Sequence, residues 1–186
     1  MQSAASLSNA VNRLWLPRLP LTACMRAVMS RNSVGVPLSD EQRYNYFPAS
    51  PLCSLSWWFA GESFAVPFTA GELAVQERIP LRATIVLGGP HNRPSVSWNP
   101  GPAHGMMLML MPDAMQALTG IHSDALVNRV VAAQDLLPPA WMRMCHAVQQ
   151  AADDDARVML IEEFLDPLWQ AARPASPAIA SARYED

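Results

Sequence analysis

Apolar and polar residues change their spacing once along this chain, near Met111. Before that point the apolar residues recur at every second position in short segments bounded by proline and glycine. In Leu52 to Ala60, Cys53, Leu55, Trp57 and Phe59 fall on one face, and Ser54, Ser56 and Trp58 on the other, a period that predicts a strand. Cys24 to Arg31, Arg82 to Leu87 and Ser95 to Trp98 read the same way. His104 to Met111 (HGMMLMLM) is apolar on both faces after its first two residues, as a strand in the middle of a sheet would be. Several short strands with Pro and Gly turns predict a small barrel or a sandwich.

After Met111 the period lengthens. Pro112 to Gly120 (PDAMQALTG) has proline at a helix start and glycine past its end. Ser123 is a good N-cap for a second short helix through Asp124 to Arg129. From Pro139, Trp141, Met144, Cys145, Val148 and Ala152 form one apolar stripe at helical spacing. Asp153 to Asp155 supply an acidic cap, and Val158, Ile161, Phe164, Leu165, Leu168, Trp169 and Ala172 continue the spacing on a further helix, which predicts an αα-hairpin. Residues 173–186 open with a small, Pro-rich, aperiodic stretch that reads as a linker. The expected order is therefore a strand-rich part over 1–111, a helical part over 112–172 and a linker over 173–186.

Composition sharpens this picture in three ways. Prolines number 17 among 186 residues against only 8 glycines, which favours stiff, short segments in the first part. Charged residues make up only 16%, so part of the surface is expected to meet a partner. All 13 basic residues are arginine; residues 1–111 hold eight of them against five carboxylates (+3), and residues 112–186 five against eleven (−6). Neither part has the clustered cations that displace counterions from a nucleic acid. The 3 cysteines, Cys24, Cys53 and Cys145, lie far apart without a CxxC, so neither a disulfide framework nor a cysteine metal site is indicated and a cytoplasmic location is expected. Arg13 and Arg18 interrupt the only apolar stretch near the start, against a signal peptide, and no uncharged apolar run is long enough for a membrane span.

Candidate chemistry is sparse. GxSxG, phosphate-binding glycine loops and paired metal-ligand histidines are all missing, so no catalytic residue, metal ligand or cofactor is assigned. Cys53 and Cys145 lie on apolar stripes, where cysteine is usually a small buried hydrophobe. His91 and His104 each precede a strand and could meet at a barrel mouth, the basis for an alternative reading as a stand-alone cupin-like binder or metal-dependent enzyme. Trp57, Trp58 and Trp98, with methionines at 106, 107, 109 and 111, either fill a barrel core or line a pocket for an apolar small molecule. In the second case Trp57 and Trp98 are the candidate walls, and Arg82, His91, Arg93 and His104 the polar handles, arginine being suited to a carboxylate or to stacking on a ring. The hairpin stripe likewise has two readings. It covers the strands, or Leu160, Phe164, Leu168 and Trp169 offer apolar width to a second copy of the chain.

The order of these features resembles the N-terminal sensor region of AraC-type bacterial transcription regulators. The resemblance is carried by HNRPSVSWNPGPAHGMMLMLMPDAMQALTGIHSDALVNRVVAAQDLLPPAW with RYNYFPASPLCSLSWWFAG upstream, and covers about Leu19 to Asp186. In that family a final barrel strand runs into a P-[GD]-x-x-x-x-L-x-G helix, then a segment of the type x-x-L-x-x-R-V-x-x-x-x-D-L, then the helices that pair subunits. Here those elements are Met106 to Met111, Pro112 to Gly120, and Leu126 to Leu136 with Arg129 and Asp135. The resemblance implies an α+β fold, a cupin-like small β-barrel followed by a helical hairpin, that senses a small-molecule effector and forms a homodimer. It also implies a pair of helix-turn-helix units that read DNA. Nothing in these 186 residues has their basic character, so contact with DNA is expected only through a domain outside this chain.

Overall fold

The computed structural model describes residues 11–69, 72–74 and 76–173. The fold is α+β, with two antiparallel sheets and three α-helices. The larger sheet has six strands: β1 (Val11–Trp15), β2 (Met25–Asn32), β4 (Cys53–Ala60), β9 (Ile85–Gly88), β11 (His104–Leu110) and β12 (Val130–Ala132), in the order β1-β2-β11-β4-β9-β12. The smaller has β3 (Tyr44–Phe47), β5 (Phe64–Val66), β8 (Ile79–Pro80) and β10 (Ser95–Trp98), in the order β3-β10-β5-β8. A two-stranded ribbon joins β6 (Phe68–Thr69) to β7 (Glu72–Leu73). Among the described residues no ladder joins the two larger sheets into a closed barrel.

Strand period fixes what each face of the six-stranded sheet does. One face carries Val28, Leu55, Trp57, Ile85, Leu87, Met106, Leu108 and Leu110, all buried in one continuous core with the helices. Those helices are α1 (Pro112–Thr119), α2 (Pro139–Gln150) and α3 (Asp154–Ala172), and they contribute Met115, Trp141, Met144, Cys145, Val148, Ile161 and Leu165. The expected stripe is buried from Trp141 to Val148, whereas Ala152 is exposed beyond the end of α2. The other face of the sheet carries Met29, Arg31, Ser56, Trp58, Gly105 and Met107 and looks toward the smaller sheet, as the bond from Arg31 to Asn45 of β3 records.

The helices end where their residues dictate. Gly120 takes φ 75°, the left-handed conformation that costs glycine least, and its N–H closes α1 on Gln116 O at 2.8 Å. Asp153 caps α3, its carboxylate accepting the Ala156 N–H at 2.9 Å. The helix expected from Ser123 to Arg129 is corrected: a 3-10 turn covers only Ser123–Leu126, and β12 follows, pairing with β9. Val130 and Val131 are β-branched, and the β9 edge provides backbone partners that a three-residue helical extension would lack. Gly89 has to be glycine for a different reason. A Cβ there would lie 2.1 Å from Leu126 O, so the β9 end and this turn pack backbone to backbone. Arg173 is the only described residue of the expected linker.

Candidate functional site

A cleft of about 650 Å³ lies between the two sheets. Its floor is the face of the six-stranded sheet turned away from the helices, and two cross-strand rows build it. Met29 pairs with Met107 and Met107 with Ser56, giving a row of soft apolar surface ending in a buried hydroxyl residue. In the next row Arg31 pairs with Gly105 and Gly105 with Trp58. The glycine between the arginine and the tryptophan carries no side chain, and the edge of the Trp58 indole stands beside it, Cδ1 3.8 Å from where a Cβ would be. The opposite wall brings Asn45, Ser97 and Asn99, which are joined to one another: Asn45 Nδ2 donates to Ser97 Oγ at 3.2 Å and to Asn99 Oδ1 at 2.8 Å.

Among the described residues the lining contains two arginines and no aspartate or glutamate. Arg13 is neutralised, since its Nη2 donates to both carboxylate oxygens of Asp155 at 2.8 and 2.9 Å. Arg31 is not. It donates to Asn45 Oδ1 and to the Gln42 carbonyl, both uncharged, and among the described residues no carboxylate lies within ion-pair distance of it. Burial lowers the pKa of its guanidinium below the usual arginine value, the cost of holding a charge away from water. Ser63 adds a second unmet group, a buried hydroxyl lining the cleft that has no hydrogen-bond partner among the described residues.

On the opposite face of the same sheet sits a buried charged cluster. Asp154, the first residue of α3, accepts from Ser30 Oγ at 2.6 Å and from Arg157 Nη1 at 2.6 Å, and His104 Nε2 lies 3.0 Å away. Burial alone would raise the Asp154 pKa; hydrogen bonds from Ser30 and Arg157 and the charges of His104 and Arg157 overcome it and hold the carboxyl below its ordinary range. Arg157 sits over Phe59, its Cζ 3.6 Å from the ring centre, and reaches the Ala151 carbonyl at the end of α2. The cluster ties strands β2, β4 and β11 to both helices of the hairpin. Ser30 belongs to it and also borders the cleft.

The six residues expected to bind a ligand are scattered. Trp57 borders the cleft, but its ring lies on the helix side, fully buried, with Nε1–H donating to Cys145 O at 3.1 Å. Its neighbour Trp58 faces the cleft. Arg82 lines a second hollow of about 440 Å³ beside Pro80 and Thr84. Trp98 packs edge-on against Phe64 and lies under the Arg78 guanidinium at 3.5 Å. Arg93 is exposed in the turn before β10. His91 pairs through its backbone with Ser50, with Nδ1 2.9 Å from Gly89 O, and His104 belongs to the Asp154 cluster. The two histidines, which the alternative reading would bring together at a barrel mouth, do not meet. Gly88, three residues before His91, pairs with Ser54, whereas His104 pairs with Ala60, so they sit at opposite ends of β4, about 20 Å apart along the strand. No group of three or more His, Cys, Asp or Glu side chains among the described residues is placed to hold a metal ion.

On α3, Leu160 and Phe164 are half-buried against the core, Phe164 meeting Trp141 edge to face, and Trp169 is buried at 6% exposure. Leu168 is the open one at 37%, and Met159 joins it at 53%. No helix among the described residues is long and apolar enough to cross a membrane.

Arg31 and Asn45 are cleft residues that spacing and residue type do not mark, and Trp58, which they mark only as one of three tryptophans of a core or a pocket, is the one that faces the cleft. The available signals were a cation at an alternate position in an apolar strand and Gly105 inside the run HGMMLMLM, since glycine in a strand marks a gap or a close approach. The cysteines are buried and free, and burial raises their thiols to about 12 for Cys24, about 11 for Cys53 and about 12 for Cys145. The native protein is therefore expected to resist Ellman's reagent at pH 8 and to release all 3 thiols only in denaturant. Fast labelling of the native protein would contradict that burial. No protein-family model matches the chain, and no curated protein matches it.

Proposed function

We propose that the chain is the ligand-sensing and dimerisation part of an AraC-type transcription regulator, located in the cytoplasm, with the two sheets forming a cupin-like shell around an effector. The cleft is the observation that carries this reading. A solvent-reachable space of this size, walled by methionine, tryptophan, asparagine and serine, has the mixture of adaptable apolar area and a few polar groups that small-molecule sites use. The helices support it too. They are built on the reverse of the cleft floor and tied to it by Ser30 and Asp154, so a change of the floor has a physical route to the hairpin. On this reading the exposed part of α3, with Met159 and Leu168, meets a second copy, and DNA is read by a domain outside these residues.

A chimaera tests it. Residues 1–186 placed ahead of the DNA-reading domain of an AraC-type regulator are expected to give reporter transcription that changes when an effector from a broad metabolite panel is supplied. Ser97→Trp, which fills the cleft, is expected to abolish the response at unchanged protein level. Output indifferent to every compound and unaltered by Ser97→Trp would sink the proposal.

A further inference from the structure

The residues of the cleft go further than its existence and select a class of ligand; this inference rests on the cleft being an effector site. Burying a charge is costly unless an opposite charge or several hydrogen bonds compensate it. Arg31 is half-buried on the cleft floor, held by two uncharged acceptors, and among the described residues no carboxylate lies in ion-pair distance of it or in the lining. The one other arginine of the lining is already matched by Asp155. A cationic ligand would find no counter-charge here. A polyhydroxylated one would lack the carboxylate acceptors that fix sugar hydroxyls. An anion would supply what Arg31 lacks, and the guanidinium fork matches a carboxylate in two parallel hydrogen bonds.

The rest of the ligand is indicated by the same row. Gly105, directly between Arg31 and Trp58, presents no side chain, and Trp58 Cδ1 stands 3.8 Å from where its Cβ would be, so a flat group resting on this part of the floor meets the edge of the Trp58 ring. Met29 and Met107 in the adjoining row offer polarisable surface beneath it. We infer that the cleft binds a small organic acid with an aromatic or flat apolar body, its carboxylate on Arg31 and its body over Gly105 against Trp58. The unmet hydroxyl of Ser63 at the margin would accommodate a further polar substituent.

The probes are naphthalene-2-carboxylate and its neutral isostere naphthalene-2-carboxamide, titrated into the full chain by calorimetry. On the wild-type protein the acid is expected to bind at least tenfold more tightly than the amide. Arg31→Gln should weaken the acid at least tenfold and leave the amide within about twofold, with Arg31→Lys between, since it restores the charge without the fork. Circular dichroism of each variant checks folding, and the wild-type comparison of acid with amide stands even where a variant does not fold. Equal binding of acid and amide, with no effect of Arg31→Gln, overturns the organic-acid assignment while leaving the cleft a binding site. Binding of neither compound also overturns it. Acid binding that persists in both Arg31→Gln and Ser97→Trp would remove the cleft itself as the site.

Discussion

Replacing Asp154 by alanine is expected to cost about 3–5 kcal/mol of folding stability, read as a drop in the urea midpoint at unchanged slope. The side chains of Asp154 and Arg157 are 10% and 9% exposed, so neither has water to fall back on. Removing the carboxylate leaves the Arg157 guanidinium buried over Phe59 with only backbone carbonyls around it, and leaves Ser30 Oγ without its acceptor. The loss comes mainly from the abandoned partner rather than from the pair itself. Asp154→Ala combined with Arg157→Met should therefore recover much of the stability, because an apolar pair of similar volume needs no counter-charge. The pH dependence has a definite sign. A carboxyl whose folded pKa lies below its ordinary 3.8 contributes stability that is fully present above that value and is lost as pH falls through the lower, folded one. Asp154→Asn should flatten the acid limb of the stability profile in that window. An Asp154→Ala variant as stable as the wild type would show that the cluster is solvated.

The adjacent tryptophans give the second large effect and test which face is which. Trp57→Ala is expected to cost about 3–5 kcal/mol, the range for emptying a core site of a large aromatic ring. Its ring is fully buried between the sheet and α2, and it also gives up the hydrogen bond to Cys145 O. Trp58→Ala, one residue on and half-buried at the cleft, should cost less than half as much. Thermal unfolding of the two variants side by side decides the matter. Equal losses, or a larger one at Trp58, would mean that the β4 register is shifted by one residue, since such a slip exchanges the two faces.

Much of this arrangement can be read from spacing alone. Ser95–Trp98 forms over the residues its alternation marks, and β4 starts one residue later than the pattern suggests. The helix from Pro112 and the hairpin follow from proline, the Asp153 cap and the apolar stripe, because these depend on neighbours in sequence. What spacing cannot supply is which strands adjoin. The order β2-β11-β4 joins residues some 50 to 80 positions apart, and only that order sets Arg31, Gly105 and Trp58 in one row. Trp57 was a reasonable candidate for a pocket wall by residue type, yet the two faces of β4 are both partly apolar, so period two could not say which of them meets the helices. The three aspartates 153–155 read as a uniform acidic cap, but the structure gives each a separate partner. Asp153 caps the helix, Asp154 enters the core and Asp155 holds Arg13 and the Trp15 indole N–H.

The effector cleft is tested most directly by ligand-observed NMR on the purified chain, with a fragment panel of acids, amides, alcohols and amines run against wild type and Ser97→Trp. Fragments that bind the wild type, with acids over-represented among them, and that lose binding when the indole of Ser97→Trp fills the space between the sheets are the expected result. A panel with no binder, or binders that Ser97→Trp leaves untouched, would contradict the cleft as the place where this protein meets a small molecule.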